Sequence, residues 1–78
     1  MRTPRRLLVF EISQDGNELE IHCNETGIQD FTAIVQRVLA SRDHEHLMAP
    51  AWGGHELSEV RQGENTNIVK KVTIRFWK

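Results

Sequence analysis

Apolar and polar residues alternate near both ends of this chain and take helical spacing in its middle. Leu7 to Ser13 is rich in apolar, β-favouring residues, and Glu18 to Cys23 alternates Leu19, Ile21 and Cys23 with Glu18, Glu20 and His22. A period of two is that of a half-buried strand, which turns Leu19, Ile21 and Cys23 inward. Between the two runs, Gln14-Asp15-Gly16-Asn17 carries Asp-Gly, a strong hairpin signal because glycine accepts the positive φ of tight turns. Ile28, Phe31, Ile34, Val35, Val38 and Leu39 then recur at helical spacing, with Gln29, Asp30, Gln36 and Arg37 on the wet side. Thr26 and Gln29 have the spacing of a capping box, and Ser41-Arg42-Asp43 closes the helix.

His44 to Ala49 reads as a third strand, stopped by Pro50, which cannot donate to a ladder. Ile68 to Trp77 reads as a fourth, with Val72, Ile74 and Phe76 on one face and Lys71, Thr73, Arg75 and Trp77 on the other. The order ββαββ predicts an α+β domain over 7–78, its one helix packed on one face of a four-stranded, mainly antiparallel sheet whose other face stays mostly wet. Were the first and fourth strands to run the same way, their basic starts would share one end of the sheet. The connection 50–67 is far longer than the usual ~4 to 6 residues, so function is expected there.

The length of 78 residues allows one core. The one cysteine, Cys23, cannot close an internal disulfide, which points to a reducing, cytoplasmic setting. The apolar run Leu7–Phe10 after the arginine-rich start is too short for a signal peptide or a membrane span, leaving residues 1–6 as a basic, flexible arm. All 11 acidic residues lie between Glu11 and Glu64, opposed there only by Arg37, Arg42 and Arg61. Such a middle repels a nucleic-acid backbone and attracts a basic protein surface.

In the long connection, Trp52 stands beside Gly53 and Gly54, followed by His55, Glu56 and Glu59. A tryptophan on a glycine turn is a recognition element in one reading, since tryptophan is favoured at binding hot spots. In the other, Trp52 and Leu57 fold back as a lid on the core. His44 and His46 share one strand face and could approach a metal with His22 or His55, but no spacing matches a metal signature. Gly53-Gly54 lacks the Gly-Lys-Ser or Gly-Lys-Thr of a phosphate loop. Glu56 and Glu59 read as an exposed acidic turn, Ser58 has no neighbouring base, and Cys23 reads as inert inward packing. No catalytic constellation, metal site or cofactor is expected.

The run from His44 through Pro50-Ala51-Trp52-Gly53-Gly54-His55-Glu56-Leu57-Ser58-Glu59 resembles the signature of the bacterial immunity protein 32 family. The Asp15-Gly16 hairpin, the Leu19–Cys23 strand, the helix and the closing Val72–Trp77 strand follow in that family's order, so the resemblance spans the chain from Leu8 onward. Ala49 and Ala51 stand where the family carries hydroxyl residues. What the resemblance implies is an antidote of a polymorphic toxin system, which neutralises its toxin by binding and needs no chemistry of its own. The expected partner is therefore a protein, such as a basic toxin domain, met through Trp52, Gly53, Gly54, His55, Glu56 and Glu59. The alternative is a regulatory or assembly domain that pairs with itself or another protein through a sheet edge. A nucleic-acid binder working through Arg2, Arg5, Arg6, Lys70 and Lys71 ranks below both, and neither a membrane nor a small molecule is expected as a partner.

Overall fold

The computed structural model describes residues 5–78; residues 1–4 of the expected arm, Arg2 among them, lie outside the described residues. Leu8–Ser13 (β1) and Leu19–Cys23 (β2) form the hairpin, with Phe10 opposite Ile21 and Ile12 opposite Leu19. The hairpin falls at Asp-Gly as expected, through the four-residue loop 14–17. Gly16 takes φ 77°, and the Asp15 carboxylate accepts from the Ser13 hydroxyl at 2.6 Å and the Asn17 amide at 3.0 Å.

The helix Glu25–Ser41 (α1) follows, but its cap is Asn24 and not Thr26. Asn24 Oδ1 accepts from the Gly27 amide at 2.8 Å and also from the Leu7 amide at 2.9 Å, while its Nδ2 donates to the Arg5 carbonyl at 3.1 Å. One side chain thus satisfies the helix start and the strand lying across it, which Thr26 inside the helix could not do. Arg42 ends the helix in a left-handed conformation, its amide reaching the Val38 carbonyl at 2.8 Å.

Glu45–Met48 (β3), Thr66–Val69 (β4) and Lys71–Ile74 (β5) complete the chain. The domain is α+β with one helix and antiparallel sheets, but its strands divide into two sheets, β2-β1-β4 and β3-β5. The expected single fourth strand breaks at Lys70. Val69 lies opposite Phe10 on the core side, and Val72 and Ile74 also pack on the core, so an extra residue shifts the alternation between them. β1 and β4 run antiparallel, which removes the premise that the first and fourth strands run the same way.

The core joins Leu8, Phe10, Ile34, Leu47, Ala49 and Leu57, with Phe31 meeting Phe10 edge to face at 5.5 Å. The far face of β1 is not wet. Val9 and Glu11 are fully buried there, and amides of Gln62 and Gly63 reach Glu11. Conversely Leu19, Ile21 and Cys23, expected inside, are exposed on β2, the edge strand of its sheet. Replacing Asn24 by alanine should cost about 1 to 2 kcal/mol, the usual cost of losing a helix cap, read from the shift of the urea unfolding midpoint. Thr26→Ala should be near neutral in the same assay.

Candidate functional site

After β3 the chain makes a single 3-10 turn, Pro50–Trp52, closed by Gly53 at φ 82°. The Gly53 amide bonds the Pro50 carbonyl at 3.0 Å and the Gly54 amide bonds the Ala49 carbonyl at 3.1 Å. A side chain at Gly54 would run into the backbone of Met48, so the two glycines have different duties. Gly53 supplies a backbone angle, and Gly54 supplies room for the returning chain.

Two carboxylates fasten this turn. Glu56 Oε1 accepts from the Met48 amide at 3.0 Å, and Glu59 Oε1 accepts from the Ala51 amide at 2.7 Å. The Met48 amide holds the Glu56 carboxyl below its ordinary pKa against the opposing effect of burial, helped by the amides of Glu56 and His55 and by the His55 charge. Glu56 is therefore a half-buried pin and not the exposed acidic residue expected. Beyond it Leu57 enters the core at 2% exposure. The Ser58 amide then bonds the Leu8 carbonyl at 2.7 Å, while its hydroxyl accepts from the Leu8 amide at 3.2 Å.

The expected lid is thus formed by Leu57 alone. Trp52 stays 59% exposed on the pinned turn, and the side chain of His55 is 93% exposed. Behind them, Arg6 donates to the carbonyls of His55 and Glu56 and pairs through Nε with Asp30 at 3.5 Å. Arg6 thereby ties the loop to α1, although its place in a basic terminal run gave no hint of this. A cleft of about 340 Å³ opens between loop and helix, lined by Arg6, Asp30, Ile34, Arg37, His55 and Glu56. Two of the expected site residues, His55 and Glu56, line this cleft, whereas Trp52, Gly53, Gly54 and Glu59 do not. Arg6, Asp30 and Arg37 join it from about 50, 25 and 18 residues away in sequence, distances that local patterning cannot bridge.

Histidines and carboxylates gather at another place than foreseen. His44 and His46 do meet, with ring centroids 5.0 Å apart, but His46 bonds the Thr73 hydroxyl at 3.0 Å and His44 bonds Asp43 at 2.9 Å. Burial, then Lys71, His44 and Arg75, lower the pKa of His46. Among the described residues the set with metal-compatible spacing is Glu11, Glu20 and His22, whose ligand atoms lie within 4.8 Å of one another. His22 Nε2 bonds Glu20 at 2.7 Å, and the Glu11 oxygens are already engaged. Glu11 accepts from the Thr66 hydroxyl at 2.6 Å and from the amides of Gly63 at 2.9 Å and Gln62 at 2.7 Å. Within this cluster Glu11 serves as a clamp on the segment 62–66. No helix among the described residues is long and apolar enough to cross a membrane.

Comparisons of the chain with family models, with curated proteins and with solved structures found no match in any of the three.

Burial alone would raise the Glu11 pKa, but the Thr66 hydroxyl, the amides of Gln62 and Gly63 and the nearby His22 outweigh it, so the carboxyl sits below the ordinary 4.5. The unfolded chain then binds the proton first as pH falls, so this contribution to stability is complete above about 4.5 and is lost as pH drops through the folded value. Glu11→Gln should lower stability at neutral pH by roughly 2 to 3 kcal/mol, since bonds to a charged acceptor contribute more than neutral ones. Urea unfolding across pH 3 to 7 should also show a shallower acid slope in this variant than in the wild type.

Proposed function

We propose that this chain is a binding protein that engages another protein through the Pro50–Glu59 loop, with Trp52 as its anchor. The observation that carries this reading is the exposure of Trp52 on a turn fastened by Glu56 and Glu59. A large aromatic held outward on fixed backbone loses little conformational entropy on docking, which is the economy of a hot spot. The adjoining cleft offers the guanidinium groups of Arg6 and Arg37 beside the carboxylates of Asp30 and Glu56 to a polar side chain of the partner.

The resemblance to immunity protein 32 gives that partner a class. On this reading the chain neutralises a toxin of its own polymorphic toxin system by covering it, works in the cytoplasm without a cofactor, and leaves membranes and nucleic acids alone. The predominance of acid between Glu11 and Glu64 suits a basic toxin domain, since complementary fields speed association.

The test is co-expression with a candidate toxin drawn from the genes that neighbour this one. Growth should stop with the toxin alone and resume when this chain is present. Trp52→Ala should weaken the purified complex by at least about 30-fold, in the range of hot-spot truncations, while far-UV circular dichroism is unchanged. Undiminished affinity of Trp52→Ala would move the interface off the loop, and a toxin that kills regardless would end the immunity reading.

A further inference from the structure

β2 has a strand neighbour on one side only, and its free edge carries a self-complementary pattern. The bonds Ser13 N–H to Glu18 carbonyl and Asn24 N–H to Leu7 carbonyl set the phase of the β1–β2 ladder. In an antiparallel pair, alternate residues exchange both backbone bonds with the neighbour. Glu18, Glu20, His22 and Asn24 therefore point their backbone groups toward β1, and Leu19, Ile21 and Cys23 point theirs outward.

We infer that a second copy of this chain pairs with β2, antiparallel, about a two-fold axis at Ile21. In this register Ile21 faces the second copy's Ile21, and Leu19 faces the second copy's Cys23. All of these residues present their backbone groups to the open edge, so each such pair closes two hydrogen bonds. On the opposite sheet face Glu20 stands across from the second copy's His22. Each imidazole then lies between two carboxylates, that of its own chain at 2.7 Å and that of the copy.

The neighbouring registers are worse for stated reasons. A slip by one residue sets inward backbone groups against outward ones. A slip by two places Glu20 against Glu20 or His22 against His22 and shortens the overlap, and like charges directly opposite destabilise a sheet. The register centred on Ile21 alone joins full overlap to a carboxylate facing an imidazole.

The side chains left uncovered agree with this occupant. Leu19 and Ile21 lie on the helix side of the sheet yet are exposed, as are Ile28, Val35 and Leu39 on one flank of α1. The other flank carries Asp30 and Arg37, which reach Arg6 and Glu45. At 100° per residue the apolar flank lies on the opposite side and so turns toward β2. A two-fold axis perpendicular to the sheet puts both helices on one side. Their apolar flanks then border a trough floored by Leu19 and Ile21 of both copies. In a monomer this flat edge with outward apolar residues would stand unprotected. The Trp52 loop takes no part, so this dimer stands or falls apart from the immunity reading.

Sedimentation equilibrium of the full chain, carried to about 100 μM because a small interface is weak, should show a dimer. Ile21→Lys, which sets like charges against each other at the axis, should raise the dimer dissociation constant at least about tenfold, and Trp52→Ala should leave it unchanged. Leu19→Cys should form a disulfide-linked dimer with the native Cys23 on mild oxidation, since these positions face each other between copies. The same substitution combined with Cys23→Ser should not crosslink. A wild-type chain that stays monomeric, a dimer indifferent to Ile21→Lys, or crosslinking that persists without Cys23 would overturn the inference. Should Ile21→Lys fail to fold, the cysteine pair decides alone.

Discussion

The Glu11 carboxylate, buried against the far face of β1, is the interaction on which the rest of this fold depends. The long segment after Gly53 must cross that face, and its backbone donors need partners once water is excluded. Glu11 supplies them to Gln62, Gly63 and the Thr66 hydroxyl together. Thr66 opens β4 opposite Ser13, so the same carboxylate starts that strand in register. Among the described residues no buried side-chain nitrogen or oxygen lacks a partner, so this charge in the interior is fully answered.

A second constraint follows from Ser58. Its amide and hydroxyl occupy the backbone groups of Leu8, which a longer β4 would otherwise have used. Beyond Val69 the chain therefore leaves β1, and the Lys70 carbonyl takes the Ala49 amide at 2.9 Å as β5 begins beside β3. Two lysines in succession, Lys70 and Lys71, are both exposed at this exchange. The shift of alternation lets Val69 reach the core from one sheet, and Val72 and Ile74 from the other.

The loop that presents Trp52 is built by the same means as the Glu11 clamp. Acidic side chains bond backbone amides, at Met48 and Ala51 here and at Gln62 and Gly63 there. Part of the acidic excess in the middle of the chain thus holds loops in place. The stiffness so obtained suits a surface that acts by shape, since a partner need not order it on binding.

Much of the secondary structure was legible in the chain. The Asp15-Gly16 hairpin, one helix ending near Ser41 and a strand before Pro50 all follow from local signals, because turn chemistry and periodicity act over a few residues. The glycine turn at Trp52 was equally plain. Alternation, however, says that a strand has two unlike faces and not which face is covered. In β2 the half-buried face proved to be Glu20 and His22, because Glu11 stands beside them and Gly63 lies against Glu20. Tertiary structure also decided the choice of Asn24 as cap, the capture of Arg6, the burial of Glu11 and the break at Lys70. Each of these joins residues far apart in sequence or depends on which backbone groups a distant segment has already taken. Local pattern fixes where elements form, and competition for partners in three dimensions fixes how they meet.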